Sequence, residues 1–269
     1  MDARSVTGKV LALLDAFDRE HPALSLSDLA RRSGVSVPTA HRRLAELVAW
    51  GALERLPDGR YRVGLRLWEL ASLAPRGQRL REAALPFLED LYVVTRENVQ
   101  LAVREGTELV FVERIAGRFA VPVMTRVGSR FPLHAPGVGL VLLAHAPDDV
   151  RETVLDGPLP RYTEHTVTDP VRLRALLADV RRQGFAVSDR MVTHNALSVA
   201  APVRDRAGEV LAALSLVVLA DGAEVPALAA AVRTAARSVT RQLGGSSYDE
   251  VVVRFESTDP GPEGSSFTE

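Results

Sequence analysis

The residues of this chain that could do chemistry are cationic, and they gather early. Val35 to Gly64 reads VSVPTAHRRLAELVAWGALERLPDGRYRVG, with arginines on a helical stretch and on both sides of a turn. At about 100° per residue, Leu44 turned inward sends Thr39, Arg42 and Glu46 to the opposite side, with Arg43 on its flank. Pro38, Thr39, Arg42 and Arg43 then stand on the N-terminal half of the helix, the half that reaches base edges when a recognition helix enters the major groove. Arg42 can donate a bidentate pair to a guanine, and Thr39 can meet a thymine methyl or a phosphate. His41 lies nearer the buried side, where a packed helix histidine competes with a DNA contact. Arg55, Arg60 and Arg62 on the hairpin suit phosphates or the minor groove. Arginines on an arbitrary helix usually do no more than solvate it. Here their register within a complete motif favours DNA.

Other chemistries find little support. The six histidines (His21, His41, His134, His145, His165 and His194) form no HxH or HExxH spacing, so no metal site is expected. Cysteine is absent, which removes disulfides, thiolate metal sites and thiol nucleophiles. The GVG at Gly137 follows no βαβ pattern and is too short for a dinucleotide fingerprint. Ser198 and Ser215 lack the flanking glycines of a nucleophile elbow. An enzyme, or a ligand-binding module without DNA function, is the alternative reading, and no cofactor is implied.

The elements that must position the arginines follow from periodicity. Val6, Val10, Leu13, Leu14 and Phe17 share one helix face, and His21-Pro22 ends the pattern. Ser25 followed by Asp28 resembles a capping box for a second short helix, closed by Gly34. The third helix opens near Ser36, tolerates Pro38 in its first turn and stops at Gly51. Two strands around Pro57-Asp58-Gly59 complete a winged helix-turn-helix over 1–64. The stretch 65–74 predicts a linker helix stopped by Pro75 and Gly77, so 65–77 is taken as the link. A further helix is expected over about Gln78 to Arg96. The runs VQLAV, LVFVERI, AVPVMTRV, FAVSD, LSVAAPVRD and VLAALSLVVL read as strands. Helices are expected over Gly137–Ala146, Asp148–Leu155, Pro170–Arg182 and Glu224–Leu243. Helices packed on one antiparallel sheet make 78–245 an α+β domain. The polar tail 246–269 holds one candidate strand, VVVRF, and disorder is expected from about Asp259.

Composition bounds the reading. With 269 residues, 46% of them hydrophobic, the chain can bury the cores of two domains. The 33 basic and 34 acidic residues nearly cancel, so any DNA-binding surface is local. No apolar run approaches the roughly 20 residues of a membrane span, and a cytoplasmic protein with no membrane partner is expected. Lys9 and ten arginines against nine acids up to Pro75 make that segment only weakly basic, which predicts two copies acting on two half-sites.

LSLSDLARRSGVSVPTAHRRLAELVAWGALER with PDGRYRVG, then GSRFPLHAPGVGLVLLA and LSVAAPVRDRAGEVLAALSL, resembles the IclR family of bacterial transcriptional regulators from about Val6 to Leu243. The resemblance implies a DNA-binding domain, a linker helix and an effector-binding domain akin to GAF domains. It also implies dimers or dimers of dimers that act on operator DNA and answer to small organic, often aromatic, acids. Arg42 falls at the family's recognition-helix arginine, and Ser25 and Ser36 join the DNA-binding set. Arg43 stands where the family usually has an apolar residue. By resemblance the effector pocket takes Met124, Phe131, His134, Asp189, Ser198 and Ser215. The lysine that commonly follows PLHA in the family is missing, and Asp189 has lost its usual glutamate neighbours. A carboxylate is expected at Gly137 and Val138, where a helix N-terminus offers free N–H groups. Packing glycines, with Arg190 turned to water, are the competing explanation of that stretch.

Overall fold

The computed structural model describes residues 5–118, 120–123 and 125–245. The chain divides into two compact units, Met1–Leu80 and Arg81–Glu269. The candidate strand VVVRF and the polar tail lie outside the described residues.

In the first unit α1 (Val6–Asp15), α2 (Leu26–Ser33) and α3 (Val37–Trp50) enclose a core of Leu13, Leu29, Leu44, Leu47 and Leu53. Local chemistry sets the helix ends. The Ser25 hydroxyl accepts from Asp28 N–H at 3.2 Å and donates to the Asp28 carboxylate at 2.6 Å. Gly34 and Gly51 end α2 and α3 with φ of 69° and 87°, a left-handed conformation that glycine adopts without strain. The wing has three strands, where the sequence predicts two: β1 (Ala23–Leu24) adds to β3 (Tyr61–Val63), which pairs with β2 (Leu53–Arg55). A two-residue strand carries too little alternation to be seen in a sequence. α4 (Leu65–Ala71) follows, shorter than expected. Pro75 does not stop a helix but begins α5 (Pro75–Thr95), using the first-turn position where its missing N–H costs nothing.

The second unit is built on β4 (Asn98–Glu105), β5 (Glu108–Ile115), β6 (Arg130–Pro132), β7 (Ala186–Asp189), β8 (Ala196–Arg204) and β9 (Val210–Leu219). They form one antiparallel sheet in the order β6-β5-β4-β9-β8-β7. α6 (Gly137–Ala144), α7 (Asp148–Asp156) and α8 (Pro170–Gln183) belong to the core on one face, while α9 (Val225–Gly245) packs on β8 and β9 from the other. Pleating separates the two faces. Leu197, Val199 and Val218 meet α9, whereas Ala102, Ala186, Ala200 and Ala213 lie under α6. Those alanines leave room for a helix that is buried on every side, from Gly137 to Ala144.

One predicted strand is absent. Among the described residues of AVPVMTRV none is in a strand, and the edge of the sheet is instead β6, which the sequence reading missed. Val121 and Thr125 do turn inward, as the alternation implies. Side-chain amides hold them rather than a backbone ladder: Asn98 Nδ2 donates to the Val121 carbonyl at 2.9 Å, and Gln100 Nε2 to Thr125 Oγ1 at 2.6 Å.

Candidate functional site

On α3, Ala40, Leu44 and Leu47 are buried, and Ser36, Pro38, His41 and Arg42 are exposed. The Ser36 hydroxyl makes no cap bond to the backbone; it donates to Thr39 Oγ1 at 3.0 Å and so orients a half-buried threonine. His41 is exposed, a correction to its placement near the buried side.

The two adjacent arginines part company. Arg42 makes no hydrogen bond or ion pair among the described residues. Arg43 folds back on Glu46, with Nη1 at 2.7 Å and 2.8 Å from the two carboxylate oxygens and only 15% of its side chain exposed. Its Nε is buried without a partner among the described residues. Arg43, which the sequence groups with the base-reading residues, is paired within its own helix in this structure.

The wing divides similarly. Arg60 pairs with Asp58 at 2.8 Å and Arg62 with Glu54 at 2.6 Å. Arg55 has no acidic partner among the described residues and lies over the Tyr61 ring, 5.9 Å from its centroid. Exposed pairs of this kind contribute about 0–1 kcal/mol, so Arg60 and Arg62 can exchange a carboxylate for a phosphate at small cost. Arg42 and Arg55 need no exchange. Ser25, exposed in part, is occupied in capping α2.

A small, half-open pocket lies in the second unit beside Pro136, the residue preceding α6, with about 390 Å³ of atom-free space in and above it, open solvent included. Gln100, Thr125, Ser188, Thr193 and Ser198 give it polar groups; Val123, Val192, Ala196 and Val217 give it apolar wall. That mixture suits a small molecule with one or two polar ends. Strand register explains how distant residues meet there. Ser188 stands opposite Ser198, Ser198 opposite Val217 and Val217 opposite Asn98, all on the face beneath α6. Gln100, two residues along, stands opposite Ser215. Ser188 Oγ donates to the Ala135 carbonyl at 2.7 Å, tying the floor to the approach of α6.

Of the predicted effector residues, Ser198 lines this cavity. Ser215 is fully buried in the neighbouring register row, and its hydroxyl has no partner among the described residues. Phe131 packs against Tyr162 in a tilted pair with ring centroids 4.9 Å apart, and His134 Nε2–H donates to the Pro160 carbonyl at 2.9 Å. Both are occupied in the core beside the cavity rather than lining it, and burial pushes the His134 pKa down. Asp189 is exposed on the opposite side of β7 from Ser188 and pairs with Arg190 at 2.9 Å. Arg190 also grips Asp221 at 2.6 Å, so it does not face the cavity. Gly137 and Val138 are buried. A Cβ on Gly137 would lie 2.7 Å from Ser198 Oγ, and one on Gly139 would strike the Leu133 carbonyl. Close packing thus explains both glycines without a ligand. Met124 lies outside the described residues.

The reading from sequence passed over Gln100, Thr125 and Ser188. A signal existed for the first: an amide inside VQLAV, a run otherwise apolar on both faces. A buried strand keeps such a group only where it has a partner.

A winged helix with a solvent-facing arginine, followed by a sheet domain that encloses a small cavity, defines a ligand-binding transcriptional regulator. Residues 6–57 match the IclR helix-turn-helix domain and residues 74–241 the bacterial transcriptional regulator IclR C-terminal domain. The chain belongs to the IclR family. It is 30% identical over 241 residues to the HTH-type transcriptional regulator XynR of Escherichia coli, covering 88% of this chain and 96% of that one. To the regulator BhcR of Paracoccus denitrificans it is 32% identical, over 81% of this chain and 80% of the other. Among solved structures it resembles an IclR homolog from Microbacterium hydrocarbonoxydans complexed with 4-hydroxybenzoate. The identity there is 42%, the TM-score 0.86, and the match covers 90% of this chain and 100% of that one. Thermotoga maritima IclR is similar at 26% identity and TM-score 0.73, over 88% and 98% of the two chains. XynR and BhcR are named as transcriptional regulators, and this chain, of the same family, is likewise a transcriptional regulator and not an enzyme. No helix among the described residues is long and apolar enough to cross a membrane.

Proposed function

We propose that this regulator binds operator DNA as a symmetric oligomer and that a small organic acid, of the aromatic type, modulates that binding. In this reading 1–64 contacts DNA, 65–77 links, and 78–245 holds the effector. The base-reading group is Thr39 and Arg42 with Pro38 and His41 beside them, and Arg55, Arg60 and Arg62 meet the backbone.

The observation that carries the reading is the cavity beside α6. Its polar groups are hydroxyls and the Gln100 amide, its walls are valines, an alanine and Pro136, and among the described residues no carboxylate lines it. Such a lining tolerates an anion, and the N-terminus of α6 adds a partial positive charge at Pro136. The relative crystallised with 4-hydroxybenzoate supports the aromatic acid.

The experiment is a mobility shift on the DNA upstream of the protein's own gene, with and without 4-hydroxybenzoate and 4-hydroxybenzamide. A retarded complex whose affinity changes with the acid and not with the amide is expected. No complex at low salt rules out the operator; an equal response to acid and amide rules out the acid.

A further inference from the structure

The pocket beside α6 has two polar ends of different character. At one, the Ser198 hydroxyl makes no hydrogen bond among the described residues, and a Cβ on Gly137 at the start of α6 would stand 2.7 Å from it. That hydroxyl is free to donate. At the other end Gln100, on β4 and only 3% exposed, donates from Nε2 to Thr125 Oγ1 at 2.6 Å. The bond points the amino side of the amide at Thr125 and leaves Oε1 without a partner among the described residues. Oε1 is not sealed in the core either, and since Gln100 lines the pocket, the pocket is where this oxygen opens. An amide oxygen can only accept. Ser188, opposite Ser198, is in a similar position: its proton is given to the Ala135 carbonyl at 2.7 Å, so toward a ligand it too can only accept.

Register sets the separation of the two ends. Ser198 stands opposite Val217, Val217 opposite Asn98, and Gln100 is two residues further along β4. Two strand spacings and one two-residue step put the Ser198 and Gln100 backbones about 12 Å apart on a common face. Less the reach of a serine and a glutamine, that span suits a ring or a short chain with a polar group at each end. A carboxylate, like the amide oxygen, only accepts, so it cannot turn toward Gln100 and is left to Ser198 and the start of α6.

We infer that Gln100 is a specificity-determining residue: the effector carries a hydrogen-bond donor, a hydroxyl or an amine, at the end remote from its carboxylate, and Gln100 Oε1 accepts from it. Thr125 is the positioning residue that fixes the amide, and the apolar body of the ligand lies against Val123, Val192 and Val217. The inference rests on the acid-effector reading above and narrows it from acids in general to hydroxy and amino acids with their two groups set apart. An acid that lacks the distal donor would cover Oε1 without pairing it, and a covered, unpaired acceptor is what makes a polar pocket reject a ligand.

The test is calorimetric titration of the full chain with 4-hydroxybenzoate, 4-aminobenzoate and 4-fluorobenzoate. The three differ at one ring position: two offer a donor there, and fluorine, close to a hydroxyl in size, offers none. The wild type is expected to bind the hydroxy and amino acids about tenfold more tightly than the fluoro acid. Gln100→Met keeps the length of the side chain and removes the oxygen, so the ratio should fall toward one through weaker binding of the two donor ligands. Thr125→Val, which leaves β4 untouched and releases the amide, should lower the ratio in part. Equal binding of all three acids by the wild type overturns the inference and leaves the acid reading in place. A ratio that survives Gln100→Met, whatever happens to overall affinity, also overturns it and shows a merely structural glutamine. Should Gln100→Met not fold, a ratio untouched by Thr125→Val has the same meaning. If 4-hydroxybenzamide binds as well as 4-hydroxybenzoate while the preference for a donor holds, the acid reading falls and the role of Gln100 is supported. Failure of the wild type to bind any of the three at millimolar concentration overturns both, while a mobility shift would still stand for the operator.

Discussion

Arg42 and Arg43 are neighbours of identical chemistry with opposite fates, because a rotation of about 100° places one in water and the other across from Glu46. Arg42→Ala should therefore cost about 1–3 kcal/mol of operator affinity and relax preference at one base per half-site, measured by mobility shift against a set of single-base operator variants. Arg43→Ala should leave base preference alone and show itself in the denaturation midpoint. Two histidines give the protein a second residue-level property. His134 and His145 have pKa values held down by burial, although each ring donates to a carbonyl, of Pro160 and Val141 respectively. A depressed pKa means that below about pH 6.5 the unfolded chain takes up protons that the native state refuses. Stability should thus be level near neutrality and fall as pH drops below about 6.5, by at most about 1.4 kcal/mol per pH unit for each histidine. Urea midpoints between about pH 7.5 and 5.5 measure this, and His145→Gln should make the decline shallower. A midpoint that rises on acidification would show the sign to be wrong. At this scale the helix-turn-helix was readable from sequence because helix geometry alone orients its side chains. The cavity was not. Ser188, Gln100 and Ser198 come together through strand register, which one sequence does not display.

Elements were easier to read than contacts, and their errors have physical causes. The runs VQLAV, LVFVERI, FAVSD, LSVAAPVRD and VLAALSLVVL became β4, β5, β7, β8 and β9, since strands that pack on both faces must be apolar almost throughout. AVPVMTRV has the same composition but finds no neighbouring backbone; the side chains of Asn98 and Gln100 take over that task. Pro75 misled because one property, the missing N–H, both ends helices and begins them. α6 shows element packing at its tightest. Helix propensity says that Gly139→Ala should stabilise an eight-residue helix by about 1 kcal/mol. Packing says the reverse, because the new methyl would meet the backbone carbonyl of Leu133, which cannot swing aside as a side chain can. Overpacking should win, with a net loss of about 1–3 kcal/mol in chemical denaturation. A more stable Gly139→Ala protein would mean that α6 sits further from the Leu133 turn.

For the molecule as a whole, charge and exposed apolar surface point the same way. A formal net charge of -1 gives no general attraction to DNA, and several of the arginines near the reading helix are already paired. One copy would bind weakly, and two copies on a symmetric site multiply the few contacts available. α4 has no buried residue, and Leu65, Trp68 and the following Leu73 are 65%, 63% and 75% exposed. Apolar side chains gathered on one short segment make a surface that a partner can cover, and under the symmetric binding proposed above that partner is a second copy of the chain. Trp68→Glu should lower the mass seen by light scattering and weaken operator binding, while calorimetry finds effector affinity unchanged. Coupling between effector and operator then follows from linkage. If the effector changes operator affinity by a factor worth about 1–3 kcal/mol, operator DNA must change effector affinity by the same factor. Calorimetric titration of 4-hydroxybenzoate into the protein with and without a saturating operator duplex gives one ratio, and mobility shift with and without the acid gives the other. Equal ratios different from one are expected in the wild type. In Trp68→Glu both should collapse toward one, because a protein that cannot hold two reading helices on one site has no symmetric DNA complex for the effector to favour or oppose. Tight effector binding with both ratios at one in the wild type would leave two working domains and no regulator.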